Sequence, residues 1–320
     1  MTKKRNIWFI VAGALIGLGI ILTLIALIFN NFDFSKLDTT TYLTNQYEIN
    51  ETFENININT DTAIINFVYS KDSTCKVECY ETSSESHTVI VKDNTLTIQV
   101  NKDKKWYDYI GFNFNSPIIT IYLPNTEYNS LTISNDTGDI NIPKDFTFNN
   151  ISIDANTADI YCASNCLNLL EILVSTGDVS IENNKANAIK VTTSTGDIEL
   201  YNVLCSTDIL LNVSTGRILL NTITCETLNS TGNTGKIKLI HVTGIKFVIE
   251  RTTGDVLFDH SDANDIYVKT DTGDVKGSLL TSKVFICKTD TGDIDVPESI
   301  EGSKCKIITD TGDIELTVIN

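Results

Sequence analysis

The chain has 320 residues, of which 42% are hydrophobic and 20% charged, with 24 Lys and Arg against 41 Asp and Glu and a formal net charge of -17. One or two domains fit that length. The charge excludes broad binding to nucleic-acid phosphates, which needs a net basic surface, and four prolines exclude a proline-rich stalk.

Residues Ile7 to Phe29 carry no charge and a single hydroxyl, Thr23. As a helix this run spans about 35 Å, enough for a hydrocarbon core of about 30 Å. Lys3, Lys4 and Arg5 precede it and no acid appears before Asp33. Positive-inside logic predicts a cytoplasmic tail over 1–6, a transmembrane helix over 7–29 that contacts membrane lipid, and an extracytoplasmic remainder. The alternative, a cleaved signal peptide, fits worse: the run is long, and Ile28-Phe29-Asn30-Asn31-Phe32 lacks small residues at cleavage spacing. Beyond the anchor, 30–44 reads as a linker.

Residues 45–130 read as an N-terminal β cap with early coils. Strand-like runs fall at 55–59, 63–69, 75–80, 88–92, 95–100 and 118–123, with Asp93-Asn94 as a hairpin turn. Asn59-Thr60-Asp61-Thr62-Ala63 reads as a degenerate early corner. The segment holding Trp106, Tyr107, Tyr109 and Phe112 is either a contact patch for lipid, glycan or a partner, or an aromatic filling of the cap core.

From residue 131 to 320 a tripeptide close to Thr-Gly-Asp recurs. Its central residues are Gly138, Ala158, Gly177, Gly196, Gly216, Gly235, Gly254, Gly273, Gly292 and Gly312, in steps of 19 or 20. Thr precedes every centre, and Ile or Val stands two residues after every centre. Apolar residues also fill the positions five and seven before the centre, except Ser230, and four after it, except Gly277. Alternation of period two on both sides of a sharp turn predicts at least two short strands per coil. One coil cannot bury its own apolar side chains, so the coils must stack. The fold class is therefore all-β: a single-stranded parallel β-solenoid of about ten coils, with a right-handed winding expected by analogy with parallel crossovers. Glycine at the corner suits a positive φ or close backbone packing.

Acids recur with the corner: Asp139, Asp159, Asp178, Asp197, Asp255, Asp274, Asp293 and Asp313. A second acid three residues earlier makes a C-terminal strip of Asp271, Asp274, Asp290, Asp293, Asp310 and Asp313. Stacked carboxylates repel unless solvated or bridged, so the strip is a candidate weak calcium site. Against it stands the reading that each Asp accepts hydrogen bonds from the backbone of its own turn. His87, His241 and His260 share no metal-ligand spacing, no catalytic triad or phosphate loop is visible, and no cofactor is expected beyond that weak calcium. Cys162, Cys287 and Cys305 fall in inward columns and read as small buried residues. Cys205 and Cys225, one coil apart and offset by one position, are the best disulfide candidates, although free thiols are expected overall.

Ser116-Pro117-Ile118-Ile119-Thr120-Ile121-Tyr122-Leu123-Pro124, followed by Ser134-Asn135-Asp136-Thr137-Gly138-Asp139-Ile140, resembles the bacterial putative-adhesin family of unknown function built from repeated Ser/Thr-Gly-Asp-Ile corners. The resemblance spans residues 45–320, with Arg217 and Lys236 departing from the usual Asp. It implies a β-solenoid tethered at a bacterial membrane, in some relatives near envelope-stress systems, and supplies no catalytic residue. The expected function is a non-enzymatic cell-surface module, an adhesin or an envelope-stress-associated protein binding an envelope or host ligand. The alternative is a polysaccharide lyase or hydrolase on the same scaffold. The coil ending near Asn320 is expected to form the open end of the rod, where Asp310, Asp313 and Glu315 oppose end-to-end self-association unless cations screen them.

Overall fold

The computed structural model describes residues 2–29, 31–32, 41–72, 74–82, 85–101 and 115–319. Trp106, Tyr107, Tyr109 and Phe112 lie outside them. Among the described residues one helix, Thr2–Phe29, begins before the apolar run and continues through it. Its stretch Ile7–Phe29 has a mean hydropathy of 2.7 and no residue buried against the rest of the chain. The Thr23 hydroxyl is satisfied within the helix, donating to Gly19 O at 2.9 Å.

The rest is β-structure, with 26 strands joined in one sheet among the described residues. Each coil stacks in parallel on its neighbours with like columns in register. Ile189 lies against Ile209, Val191 against Leu211, and across the corner Ile198 against Ile218 and Leu200 against Leu220. These side chains are at most 2% exposed. Each such burial contributes roughly 1.5–3 kcal/mol relative to exposure. A third side joins the two that the alternation showed. Asn183, Asn202, Thr222, His241 and His260 adopt φ between 49° and 60°, turning the chain six residues after the corner centre. Val203, Ile223 and Val242 stack beyond that turn. Asn is the residue type that tolerates this conformation best, and two Asn residues at coil spacing were the available signal.

All eight cysteines are free thiols. Cys205 and Cys225 directly follow the paired residues Leu204 and Thr224, so they share one register position instead of being offset. Together with Ala186, which pairs with Cys205, they form a column of small buried side chains at the coil's third side.

Chain order and stacking order differ at both ends. The strands Asn55–Thr62 and Ile64–Tyr69 flank a true corner at Ala63 and stack directly on the Gly138 coil. On their other side lie Thr95–Val100 and Ile118–Leu123, which come later in the chain but pair in parallel with them. The hairpin at Asp93-Asn94 forms, with φ of 50° and 61°, and joins His87–Lys92 to Thr95–Val100. Tyr42–Ile49, which begins inside the expected linker, pairs antiparallel with Cys75–Thr82. At the other end, Ser303–Thr311 inserts between Asp262–Thr272 and Lys283–Thr291. Ile314–Val318 likewise inserts between Val275–Leu279 and Ile294–Asp295. The open end is therefore the Gly292 coil, not the Gly312 coil that carries Asp310, Asp313 and Glu315. Cys305, Ile307, Ile314 and Leu316 are buried on both sides, whereas Ile294 is 47% exposed and Cys287 is half-buried.

A buried ion pair fastens this exchange. Lys283 of the terminal coil reaches Asp262, with Nζ 2.5 Å from Oδ1, and both side chains are at least 90% buried. The same ammonium donates to Ala263 O at 2.8 Å, and to Ser303 Oγ of the inserted coil at 2.7 Å. Asp262 also accepts from Leu280 N and Thr281 Oγ1. The pair has three coils as partners, and an uncompensated buried charge would remain if one partner were removed. Lys283→Ala is expected to cost about 3–5 kcal/mol and to free residues 303–318 first. Hydrogen exchange by mass spectrometry checks this: protection lost over 303–318 with the Gly177–Gly235 coils unchanged is the expected pattern, and uniform loss would refute a local clamp.

Candidate functional site

The corner begins with a backbone conflict. The peptide between each glycine and the next residue is turned so that the glycine carbonyl points at the following coil. A Cβ built on Gly196 would lie 2.0 Å from Gly177 O, and one on Gly235 would lie 2.0 Å from Gly216 O. The φ of Gly196 is +142°, a region that side chains also disfavour. Ala158 is not among the positive-φ residues, which is why it escapes the rule.

The same turned peptide aims the next N–H back at the preceding coil. The aspartate there accepts it. Asp159 N donates to Asp139 Oδ1 at 3.0 Å, Asp178 N to Asp159 at 2.8 Å, Asp197 N to Asp178 at 2.7 Å and Arg217 N to Asp197 at 2.7 Å. After an interruption at Lys236 the ladder resumes through Asp255, Asp274, Asp313 and Asp293. The carboxylates of Asp139, Asp159, Asp178, Asp197, Asp255, Asp274 and Asp313 thus serve the backbone of the adjacent coil.

The acidic strip does gather, in the order Asp274, Asp313, Asp293, with lysines in it. Lys276 Nζ lies 3.1 Å from Asp274, 3.5 Å from Asp313 and 3.5 Å from Glu315. Lys269 and Lys288 sit 3.8 Å from Asp271 and 2.7 Å from Asp290. The hydrogen bond from Asp313 N and the contact with Lys276 hold the Asp274 carboxyl below the usual range. At Asp197 partial burial opposes ionisation, but the hydrogen bonds and charge of Arg217 outweigh it and the carboxyl is again lowered. Beside the first ladder runs an open groove of about 360 Å³ lined by Asp139, Asp159, Asp178, Asp197, Tyr161 and Arg217, among others.

A second polar assembly lies inside the cap, where sequence reading expected none. Strand Cys75–Thr82 alternates so that Cys75, Val77, Cys79 and Glu81 all point inward. His87 opens the next strand. Its Nδ1 lies 2.6 Å from Glu81 Oε2, and its backbone N–H donates to the same oxygen at 2.7 Å. His87 Nε2 is 2.9 Å from Thr60 Oγ1, Asn45 Nδ2 donates to Glu81 Oε1 at 2.6 Å, and Tyr47 OH donates to His87 O at 3.0 Å. The donor atoms of Cys79, Glu81 and His87 lie within 4.8 Å of one another. Burial pushes the Cys79 thiol up to about 12, with the Glu81 charge adding to the shift. The signal available in sequence was faint: Cys-x-Glu on one strand face, and a histidine six residues on.

Two stretches of the chain, residues 53–210 and 206–320, match the family model described as Toastrack DUF4097. Among solved structures, a protein of Bacteroides fragilis described as a putative adhesin is similar at 16% identity, covering 88% of this chain and 99% of that one with a TM-score of 0.43. One from Parabacteroides merdae, also described as a putative adhesin, gives 14% identity, 88% and 98% coverage and a TM-score of 0.44. One from Parabacteroides distasonis described as a putative lipid binding protein gives 14%, 88%, 98% and 0.43. No curated protein matches the chain.

The ladder makes substitutions at two positions informative. Gly196→Ala should destabilise by roughly 2–4 kcal/mol, because the new methyl must displace a carbonyl and adopt a disfavoured φ. Its melting temperature, followed by far-ultraviolet circular dichroism, should fall by several degrees, and an unchanged value would refute the clearance argument. Asp274→Ala should cost about 1 kcal/mol through the lost acceptor. Asp274→Asn keeps an oxygen for Asp313 N–H and removes the charge. A carboxyl held below its ordinary value stabilises fully above about pH 4 and loses that contribution as pH falls through the lowered value. The drop in melting temperature from pH 5 to pH 3 should therefore be shallower in Asp274→Asn than in the wild type.

Proposed function

The chain belongs to the Toastrack DUF4097 family, and from that premise we propose a non-enzymatic solenoid module, anchored by residues 7–29 and carried outside the cell membrane. The observation that carries this reading is the ladder. The repeated carboxylates that could have suggested paired acid chemistry have a structural task at each corner, accepting the N–H of the neighbouring coil. Catalytic carboxylates work instead as a pair held at a set separation across a bound sugar. The basic residues before Ile7 supply the orientation, with the N-terminus cytoplasmic. The module presents a rigid, acidic surface to an envelope or host ligand, in adhesion or in envelope-stress sensing.

A second reading is a carbohydrate-active enzyme, favoured by the groove in which Tyr161 accompanies four aspartates. A panel of cell-wall and plant polysaccharides incubated with the purified protein separates the two. No release of reducing ends or unsaturated sugars is expected. Reproducible release, abolished by Asp178→Asn together with Asp197→Asn, would replace the first reading with the second. For the topology, protease added to intact spheroplasts should digest residues beyond 30, and full protection would overturn it.

A further inference from the structure

We propose that Cys79, Glu81 and His87 form a binding site for a thiophilic divalent cation of the zinc class, buried at the capped end of the solenoid. The three side chains supply one sulfur, one carboxylate oxygen and one imidazole nitrogen, with all donor atoms within 4.8 Å of one another. Tetrahedral zinc with bonds of about 2.0–2.3 Å separates its donors by roughly 3.2–3.7 Å. The cluster reaches that geometry if the 2.6 Å contact between His87 Nδ1 and Glu81 Oε2 opens slightly and the sulfur closes in. A thiolate in the set points away from calcium and magnesium, which take oxygen ligands, and toward zinc and its softer neighbours.

The surroundings are those of a metal site as well as its donors. A ligating histidine ordinarily has its other ring nitrogen fixed by an outer partner, and His87 Nε2 meets Thr60 Oγ1 at 2.9 Å. A ligating carboxylate ordinarily has its second oxygen held, and Asn45 donates to Glu81 Oε1 at 2.6 Å. These two partners come from two different elements, the strand Tyr42–Ile49 and the Ala63 coil. The cation would therefore fasten together four segments at the end of the rod, where stacking order departs from chain order. Cys79, Glu81 and His87 are each at most 2% exposed. Among the described residues Cys79 Sγ has no hydrogen-bond partner, so a cation would give the sulfur a role that the polar network alone does not. One tetrahedral position is left for a non-protein donor such as water.

Binding requires that the Cys79 S–H proton leave to solvent as the sulfur–metal bond forms, and that Nδ1 give up any proton it shares with Glu81. The cation therefore competes with protons for these donors, and affinity should rise with pH.

The test uses the full chain in detergent, stripped with a chelator and titrated with cobalt(II) alone. One equivalent should give a sulfur-to-cobalt charge-transfer band in the near ultraviolet and the intense visible bands of a tetrahedral site, and zinc should abolish both. Cys79→Ser should lose the charge-transfer band. Asn45→Ala and Thr60→Ala should keep the band and weaken binding about 10–100-fold. These two variants keep the proposal falsifiable if His87→Gln fails to fold. A folded wild type without the band would overturn the proposal and leave Glu81 and His87 as a buried hydrogen-bonded pair. A band that persists in Cys79→Ser would overturn it too, by placing the metal at other thiols.

Discussion

A carbonyl oxygen standing where the next coil's Cβ would project is the constraint on which the solenoid depends. Once one corner peptide is turned, its carbonyl excludes a side chain from the same place one coil on, as Gly177 O does at Gly196. From Gly177 onward each excluded residue is a glycine whose own carbonyl stands against the next coil, so the condition is passed along. The turned peptide also presents an N–H that the parallel ladder cannot reach, because Gly177 N and Val179 N bond forward to Thr195 O and Asp197 O while Asp178 N faces backward. A short carboxylate in the preceding coil meets it. Glycine and aspartate thus answer two halves of one geometric problem, and their columns recur for the same reason at the same spacing.

The interior tolerates polar groups where a neighbouring coil makes room for them. Ser230 is the one polar residue in its inward column, and Gly232 follows two residues later on the same face. Arg251 of the next coil explains both. Its guanidinium donates to Ser230 Oγ at 2.8 Å, and a Cβ on Gly232 would collide with its Nη1. Burial lowers Arg251 to about 10, the direction expected for a cation taken from water. Two lapses from the repeat in one coil are therefore one accommodation of a charged side chain from the next. Gly277 is a comparable lapse with a local cause, because at φ +128° a Cβ there would lie 1.8 Å from Phe258 O.

The periodic part of the fold was legible because stacking ties each residue to its counterparts 19 or 20 positions away. The inward columns, the corner and the early corner at Ala63 could be read directly for that reason. Stacking order could not be read. The columns of the Gly292 and Gly312 coils look alike in sequence, and either could sit against the Gly273 coil. Lys283 decides it, by placing a buried ammonium where Asp262, Ala263 and Ser303 can all receive it. In the sequence Lys283 is one lysine among many, with nothing to mark it as buried. The cap cluster was hidden for a similar reason: Asn45, Thr60, Glu81 and His87 come from separate strands, and no period relates them.

The two ends share a device that follows from the same energetics. A solenoid leaves unpaired N–H and C=O groups and half-covered apolar side chains at its last coil. Here an outer layer covers a regular coil at each end, laid down after the Ala63 coil on one side and before the Gly312 coil on the other. The inserted coils carry well-formed apolar columns, such as Ile56, Ile58 and Ile65, or Cys305, Ile307 and Leu316, all buried. The outer layers are less regular: one is joined to an antiparallel hairpin, and the other has the two-residue strand Ile294–Asp295. Regular coils are thus kept where both faces are covered, and irregular ones go where a single face is. In each inserted region a buried polar group reaches across the exchange: His87 meets Thr60 of the Ala63 coil, and Lys283 meets Ser303 of the Gly312 coil. Apolar columns alone would accept either order, since an isoleucine stacks equally well on any neighbour. A buried hydrogen-bonded charge does not, because misplacing it would strand it without partners. The polar contacts at the two ends therefore select the order of the coils, while the apolar columns between them supply the stability.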